Sequence, residues 1–174
     1  PLRIFVSLPR GWLLSVIGSP GLFLDFLASL RVEPKLLVLE IPEDVVQTEQ
    51  SDLVEFLSQI QSMGVQFALT RFGLGLSGLS LLGRLRPDYL KIDRSFIRIA
   101  DGGDKRGEAV CRAIVKIAHG FGAETIAGGV LNQGQVRWLE SLGCDLMHGD
   151  GLGVAMPGPE FVEWVRSRQD SGAD

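Results

Sequence analysis

Charged side chains lie near the ends of two apolar segments, where they could bind a cation or an anion. Glu40 lies near the end of LLVLEI, residues 36–41, and Lys91 lies in the apolar segment that follows Pro87. An unpaired carboxylate in an apolar strand costs free energy, so Glu40 is expected to have a cationic partner or a metal ion. Lys91 and Arg71 are the candidate partners, and a structural ion pair is favoured over a metal. Lys91 could also bind phosphate as a point charge.

Asp93 and His148 are candidates for ligand or acid–base chemistry, and each has a simpler explanation. Asp93 precedes the segment RSFI, residues 94–97, so capping of a helix that starts there is favoured over a ligand role. His148 could act as an acid, a base or a ligand. Because no second histidine or carboxylate adjoins it in the sequence, a hydrogen-bonded histidine is the favoured interpretation. His119 lies in a helical pattern and is expected only to be solvated.

A glycine-rich loop, FGLGLSGLS at residues 72–80, lies between Arg71 and Lys91. Such loops can bind phosphate, but this one lacks a Walker lysine and the GxGxxG spacing. The alternative is a tight turn that lets the short helix after it pack on the sheet. The loop alone does not decide between these two roles.

Six apolar segments of strand type alternate with helical patterns, and no hairpin signal lies between them. This order predicts an α/β fold of parallel strands joined by helical crossovers. The strand ends, and with them a possible functional pocket, then meet at one rim, although polar residues are expected wherever strands enter loops. A complete eight-unit barrel usually needs about 250 residues, so six units indicate an incomplete barrel or an open doubly wound sheet. The predicted strands end near Ser7, Glu40, Thr70, Ile92, Ala127 and Met147.

Composition restricts the class of protein. The chain has 174 residues, of which 45% are hydrophobic, so one globular domain over residues 1–168 with a disordered tail at 169–174 is expected. Net charge is −4 with no block of like charge, so neither nucleic-acid binding nor membrane contact is predicted. Cys111 and Cys144 lack a CxxC partner, which disfavours zinc and disulfides and fits a reducing compartment. Because the first residue is Pro1, an excised fragment is expected.

Several segments together resemble EAL domains, the bacterial cyclic di-GMP phosphodiesterases. The central one, FALTRFGLGLSGLSLLGRLRPDYLKIDRSFI, is similar to the family pattern LDDFGTGYSSLSYL followed by LKIDRSFV. The segments FVSLPRGWL, LVLEIPE, ETIAGGV and LGCDLMHGDGLGVAMP resemble further family segments in the family's order. The opening part of the family, including the EAL tripeptide, has no counterpart here. The resemblance implies a TIM-like (β/α) barrel of the EAL type that lacks its first strands.

The resemblance also implies where a site would lie and how it differs from that of active members. Active members use carboxylates to hold two metal ions that activate water against a phosphodiester. Glu40 and Lys91 match the family residues, and Asp93 lies in the kept KIDRSF segment. The remaining positions carry other residue types: Ser7 for asparagine, Thr70 and Arg71 for two aspartates, Gly128 for glutamate and His148 for glutamine.

A second family feature is the glycine loop. Glu43 matches the glutamate that family members use to order this loop, and the loop with its following helix is a common dimerisation region. The residues of this region that the sequence predicts to matter are Phe72, Gly73, Gly75, Ser77 and Leu79.

These substitutions predict no magnesium or manganese site, no cofactor and no phosphodiesterase activity, because Arg71 puts a fixed positive charge where a metal would lie. The favoured function is a regulatory protein-interaction module in cyclic di-GMP signalling, with a protein partner or a second copy. The alternative is a cyclic di-GMP receptor that does not hydrolyse its ligand, with phosphates meeting Arg71 and Lys91. Residual phosphodiesterase activity is the least favoured. A cytoplasmic location, within a larger signalling protein, is expected.

Overall fold

The fold is built on one parallel β-sheet. The computed structural model describes residues 2–17, 19–29, 31–48, 50–74, 78–101 and 104–170. Within these ranges six strands pair in the order β1-β2-β3-β4-β5-β6, and every pair is parallel. The strands are β1 Ile4–Ser7, β2 Leu37–Pro42, β3 Gln66–Phe72, β4 Tyr89–Ile92, β5 Glu124–Gly128 and β6 Leu146–His148.

Helices connect successive strands. Each crossover carries one or two α-helices, as parallel neighbours require. A 3₁₀ turn, Pro34–Leu36, leads into β2. The α-helices are α1 Arg10–Val16, α2 Pro20–Ser29, α3 Glu43–Thr48, α4 Gln50–Ser62, α5 Gly78–Leu85, α6 Arg94–Asp101, α7 Lys105–Gly120, α8 Gln133–Leu142 and α9 Gly158–Asp170.

The predicted incomplete TIM-like barrel is confirmed, and the doubly wound alternative is wrong. A doubly wound sheet reverses its strand order at a switch point. Here the strand order in space follows the order in the chain without reversal. β1 and β6 are therefore the two edges of an open sheet that comprises six strands of a barrel.

Alternating side chains give the sheet two different faces. The outer face packs against the helices in the main hydrophobic core, which includes Leu39, Leu69 and Leu90. The inner face carries a smaller buried cluster of Val38, Ala68, Tyr89 and Ile126, with Phe5 packed against it. Residues i and i+2 of a strand share a face, so the next inner side chain along each strand lies one step closer to the carboxyl end of the sheet. The inner cluster is thus the floor beneath Glu40, Thr70, Lys91 and Gly128.

Several boundaries differ from those predicted. Residues 101–106 are expected to form a polar loop, but α6 ends at Asp101 and α7 begins at Lys105, where Asp104 accepts a hydrogen bond from the Arg106 amide at 2.8 Å. α9 ends at Asp170 and so includes two residues of the segment predicted as a disordered tail. Residues 171–174 lie outside the described residues.

The first edge of the sheet carries exposed apolar side chains. Ile4 on β1 is 51% exposed, and Phe26 on α2 is 52% exposed. Within the described ranges no single helix is long and apolar enough to cross a membrane. Helix α1 and residues 21–29 together reach the length and composition of a membrane span, but the two segments are bent by 110° relative to each other. The exposed apolar residues at this edge are Leu2, Ile4, Val6, Leu14, Leu22 and Phe26.

Candidate functional site

A cavity of about 730 Å³ lies at the carboxyl ends of the strands. This is the end at which barrel enzymes place their chemistry. Ser7 does not line the cavity but reaches it through Glu40. The predicted residues that the fold brings together in the cavity wall are Glu40, Thr70, Arg71, Lys91, Asp93, Gly128 and His148.

Glu40 is held by two hydrogen bonds, one at each carboxylate oxygen. Lys91 Nζ donates to Oε1 at 2.5 Å, and Ser7 Oγ donates to Oε2 at 2.5 Å. Burial alone would raise the pKa of Glu40, but the bonds from Lys91 and Ser7 outweigh it and hold the pKa below its ordinary value. In the sheet register Ala68 of β3 is the neighbour of Glu40. The cationic partner expected for Glu40 is therefore Lys91.

Arg71 lies at the rim but is not a partner of Glu40. Its φ is +59°, in the left-handed region, and the β3–β4 pairing shifts register between Leu69 and Phe72. This irregularity directs the guanidinium toward Asp44 on α3, where Nη1 lies 3.4 Å from Oδ1. The alternative expectation of a Glu40–Arg71 pair is wrong because the backbone turns at this residue. Neighbouring Thr70 is buried and continues the inner face.

Gly128 and His148 are direct neighbours across β5 and β6. A Cβ placed on Gly128 would lie 2.9 Å from His148 Nε2 and 3.3 Å from Lys91 Cε. The imidazole therefore occupies the space that a side chain at position 128 would need. Partial desolvation of the ring and the nearby Lys91 ammonium lower the pKa of His148, so the ring is mainly neutral at pH 7. The expected hydrogen bond of His148 is not found among the described residues.

Asp93 lies between β4, which ends at Ile92, and α6, which begins at Arg94. Its Oδ1 accepts a hydrogen bond from the Ser95 amide at 2.9 Å, which is the geometry of a helix cap. The helix that starts here places Arg94 and Arg98 in the cavity wall, four residues apart. Sequence reasoning missed both arginines, although their spacing directly after a strand end was a usable signal. It also missed Asp150, which lines the same cavity.

Glu43 connects helix α3 to the glycine loop. Its side chain is 2% exposed, and Oε2 accepts a hydrogen bond from the Gly73 amide at 3.0 Å. Gly73 has a φ of +90°, which favours glycine. Phe72 is buried and Leu79 is 61% exposed. The predicted loop residues Gly75 and Ser77 lie outside the described part of the chain.

The opposite end of the sheet carries a separate polar cluster around Asp145. Asp145 Oδ2 accepts hydrogen bonds from the Thr125 amide and hydroxyl, both at 2.7 Å, and lies 2.9 Å from His119 Nε2. His119 is therefore a bonded residue, and the expectation that it is only solvated is wrong. Helical periodicity gave no sign of this bond because Asp145 is distant in sequence.

The donor set at the rim differs from that of a two-metal site. Two divalent cations need several oxygen ligands, most of them anionic. Glu40 has both oxygens engaged, Gly128 has no side chain and Arg71 is cationic. Within the described ranges no group of three or more histidine, cysteine, aspartate or glutamate side chains could hold a metal ion. The cavity presents cations at its wall and is suited chemically to an anion.

Comparison with known protein families gives a match over most of the chain. The EAL domain model matches residues 6–155. The chain belongs to the EAL domain family. This EAL domain is 36% identical over 140 residues to the probable cyclic di-GMP phosphodiesterase PdeN of Escherichia coli, covering 80% of the chain and 27% of PdeN. It is 30% identical over 136 residues to the blue light- and temperature-regulated antirepressor BluF of the same organism, covering 78% of the chain and 34% of BluF.

A solved structure also resembles this EAL domain. It is the MucR phosphodiesterase of Pseudomonas aeruginosa in complex with cyclic di-GMP. The TM-score is 0.81 at 31% identity, covering 91% of this chain and 64% of the solved one. The EAL domain described here thus spans about a quarter to a third of PdeN and BluF. The resemblance recognised in the sequence is confirmed.

Proposed function

We propose that this EAL domain does not hydrolyse cyclic di-GMP and acts as a regulatory protein-interaction module in bacterial cyclic di-GMP signalling. The observation that carries the proposal is the replacement of acidic residues in the cavity wall, where Thr70, Arg71 and Gly128 stand at positions that the family resemblance assigns to carboxylates. Glu40 is kept, and both of its carboxylate oxygens already accept hydrogen bonds, from Lys91 and from Ser7. Arg71, Thr70 and Gly128 add no carboxylate that could compensate.

Hydrolysis of a phosphodiester by two metal ions depends on carboxylate ligands that the cavity lacks at positions 70, 71 and 128. Two-metal hydrolysis needs both ions to activate the attacking water and to stabilise the leaving oxygen. A single carboxylate cannot supply the ligands of two divalent cations. A glutamate at position 128 would in addition need His148 to move, because the imidazole is in contact distance.

The regulatory role is supported by the family and by the surface beside the glycine loop. The relatives include a probable phosphodiesterase and an antirepressor. Leu74 and Leu79, next to the loop that Glu43 holds, are 52% and 61% exposed. Apolar side chains at this position offer a surface for a protein partner or a second copy.

The test of inactivity is an assay of the purified protein with cyclic di-GMP and either Mg²⁺ or Mn²⁺. Formation of the linear dinucleotide pGpG is measured by chromatography, with the MucR phosphodiesterase domain as positive control. We expect no product above the protein-free background. Steady turnover in either metal would refute the proposal.

The interaction surface is tested by light scattering and by a matched pair of variants. If a second copy binds beside the loop, Leu79→Glu shifts the protein from dimer to monomer. Val154→Glu places the same charge on a side chain of similar exposure, 64%, and should leave the dimer intact. A monomeric wild-type protein would exclude the second copy and leave a different protein as partner.

A second candidate function is a cyclic di-GMP receptor without hydrolysis. The observation in its favour is the cationic wall of the 730 Å³ cavity, formed by Arg71, Lys91, Arg94 and Arg98. Calorimetry with cyclic di-GMP tests this: micromolar binding weakened by Arg71→Ala supports a receptor in which Arg71 meets phosphate. If no heat of binding is measured, the receptor function is refuted and the protein-interaction module remains as the proposed function.

A further inference from the structure

Two arginines on α6 line the cavity and have no side-chain partner within the part of the chain that the structure describes. Arg94 and Arg98 lie four residues apart and therefore on one face of the helix. Arg94 packs along Gly129, where an added Cβ would lie 3.3 Å from Arg94 Cβ. Among the described residues neither guanidinium makes an ion pair or a side-chain hydrogen bond, whereas Lys91 is bound to Glu40 and Arg71 to Asp44.

We propose that Arg94 and Arg98 form a metal-independent site for the phosphoryl groups of a small phosphorylated ligand. The inference rests on the proposed receptor function of the same cavity and deepens it. It places the anion at the wall formed by α6, away from the Glu40–Lys91 pair at the strand ends. Arg71 and Lys91, the cations that sequence reasoning selects, already have carboxylate partners and are not the principal contacts.

Guanidinium groups suit this role. An arginine stays charged at any ordinary pH and presents several donors in a planar fork that can bind two phosphoryl oxygens together. Side chains at positions i and i+4 of a helix are close enough to contact one phosphate or two adjacent ones. The cavity volume of about 730 Å³ lies within the range of small-molecule sites. Fixed cations thus replace the divalent metals that would otherwise balance the ligand's charge.

The carboxylates that face this wall decide how favourable it is for an anion. Glu40 is neutralised by Lys91, and Asp93 accepts the Ser95 amide. Asp150 also lines the cavity and has no hydrogen bond or ion pair among the described residues. It is therefore the main source of repulsion for a bound phosphate. Replacing it with asparagine removes that charge with little change of shape.

The proposal is tested by calorimetric titration in the presence of EDTA. Two probes are used, cyclic di-GMP and inorganic pyrophosphate, so that a nucleotide site and a general phosphate site are distinguished. We expect at least one probe to bind, the double variant Arg94→Ala/Arg98→Ala to bind it about tenfold or more weakly, and Asp150→Asn to bind it more tightly. The control double variant Arg137→Ala/Arg166→Ala removes two exposed cations outside the cavity and should match wild type.

Each other outcome overturns the inference in a recognisable way. Cyclic di-GMP binding that is unchanged in the α6 double variant refutes the arginine site but leaves the receptor function standing. If neither probe binds the wild-type protein, the arginine site and the receptor function are both refuted. Binding that appears only when Mg²⁺ is added refutes metal independence. The variant Arg94→Lys/Arg98→Lys keeps the charges and should retain part of the affinity, and thermal melts show that each variant is folded.

Discussion

Replacing Lys91 with methionine should destabilise the protein because it leaves Glu40 buried without its cation. The side chains of Lys91 and Glu40 are 19% and 11% exposed, so the pair is largely removed from water. Removing one partner of a fully buried pair typically costs about 3 to 5 kcal/mol. Ser7 still donates to Glu40 in the variant, and some solvent reaches the site, so we expect a loss of about 2 to 3 kcal/mol at pH 7.

The measurement is urea unfolding followed by circular dichroism. With a slope of about 2 kcal/mol per molar urea, the midpoint should fall by about 1 M or slightly more. The matched control is Glu40→Gln/Lys91→Met, which removes both charges and should recover most of the loss. The conclusion depends on the double variant being more stable than Lys91→Met alone.

The pH dependence gives an independent check with a definite sign. The folded-state pKa of Glu40 is lowered from its ordinary value of 4.5, with burial opposed by the bonds from Lys91 and Ser7. The stabilisation is therefore complete above pH 4.5 and is lost as pH falls through the folded-state pKa. The difference between wild type and Lys91→Met should be largest near neutral pH and shrink in acid. A difference that grows in acid, or a loss under about 0.5 kcal/mol at pH 7, would refute the description of a buried ion pair.

Three further predictions concern other contacts. Glu43→Gln should raise hydrogen exchange at the Gly73 amide and cost about 1 kcal/mol, because a neutral acceptor replaces a charged one; unchanged exchange would refute the link. Asp145→Asn should lower the melting temperature at pH 7. Burial is outweighed by hydrogen bonds that lower the pKa of Asp145, so the difference in melting temperature between wild type and variant should shrink as pH falls below 3.8. A difference that stays constant with pH would contradict this. Gly128→Glu should lower the melting temperature without creating Mg²⁺ binding by calorimetry, and adding His148→Gln should recover stability; a fully stable single variant would show that the imidazole moves aside freely.

The strand–helix order was predictable because buried parallel strands leave apolar runs in the sequence. LLVLEI at 36–41 and VQFALT at 65–70 mark β2 and β3 directly, and glycines mark the turns between elements. The edges of the elements were less predictable. Asp93 and Asp104 accept hydrogen bonds at the starts of α6 and α7, and a polar composition alone cannot show such caps.

Side-chain partners at the site depended on backbone detail that the sequence did not carry. Lys91 and Arg71 were equal candidates for Glu40, and only the left-handed turn at Arg71 separates them. Similarly, the contact between Gly128 and His148 follows from their register across β5 and β6. The two α6 arginines lie in the first turns of the helix that follows β4, so a strand-end pattern does not mark them.

The sheet order has a consequence for how the protein folds. Because each strand pairs only with the strands before and after it in the chain, the sheet can form without bringing the two chain ends together. Each strand pair therefore requires closure only of the crossover between two successive strands. Each unit can dock on the one already formed, as in a repeat protein. Deleting the unit that ends in β6 would therefore move the sheet edge by one strand and leave the pairing of β1 through β5 unchanged.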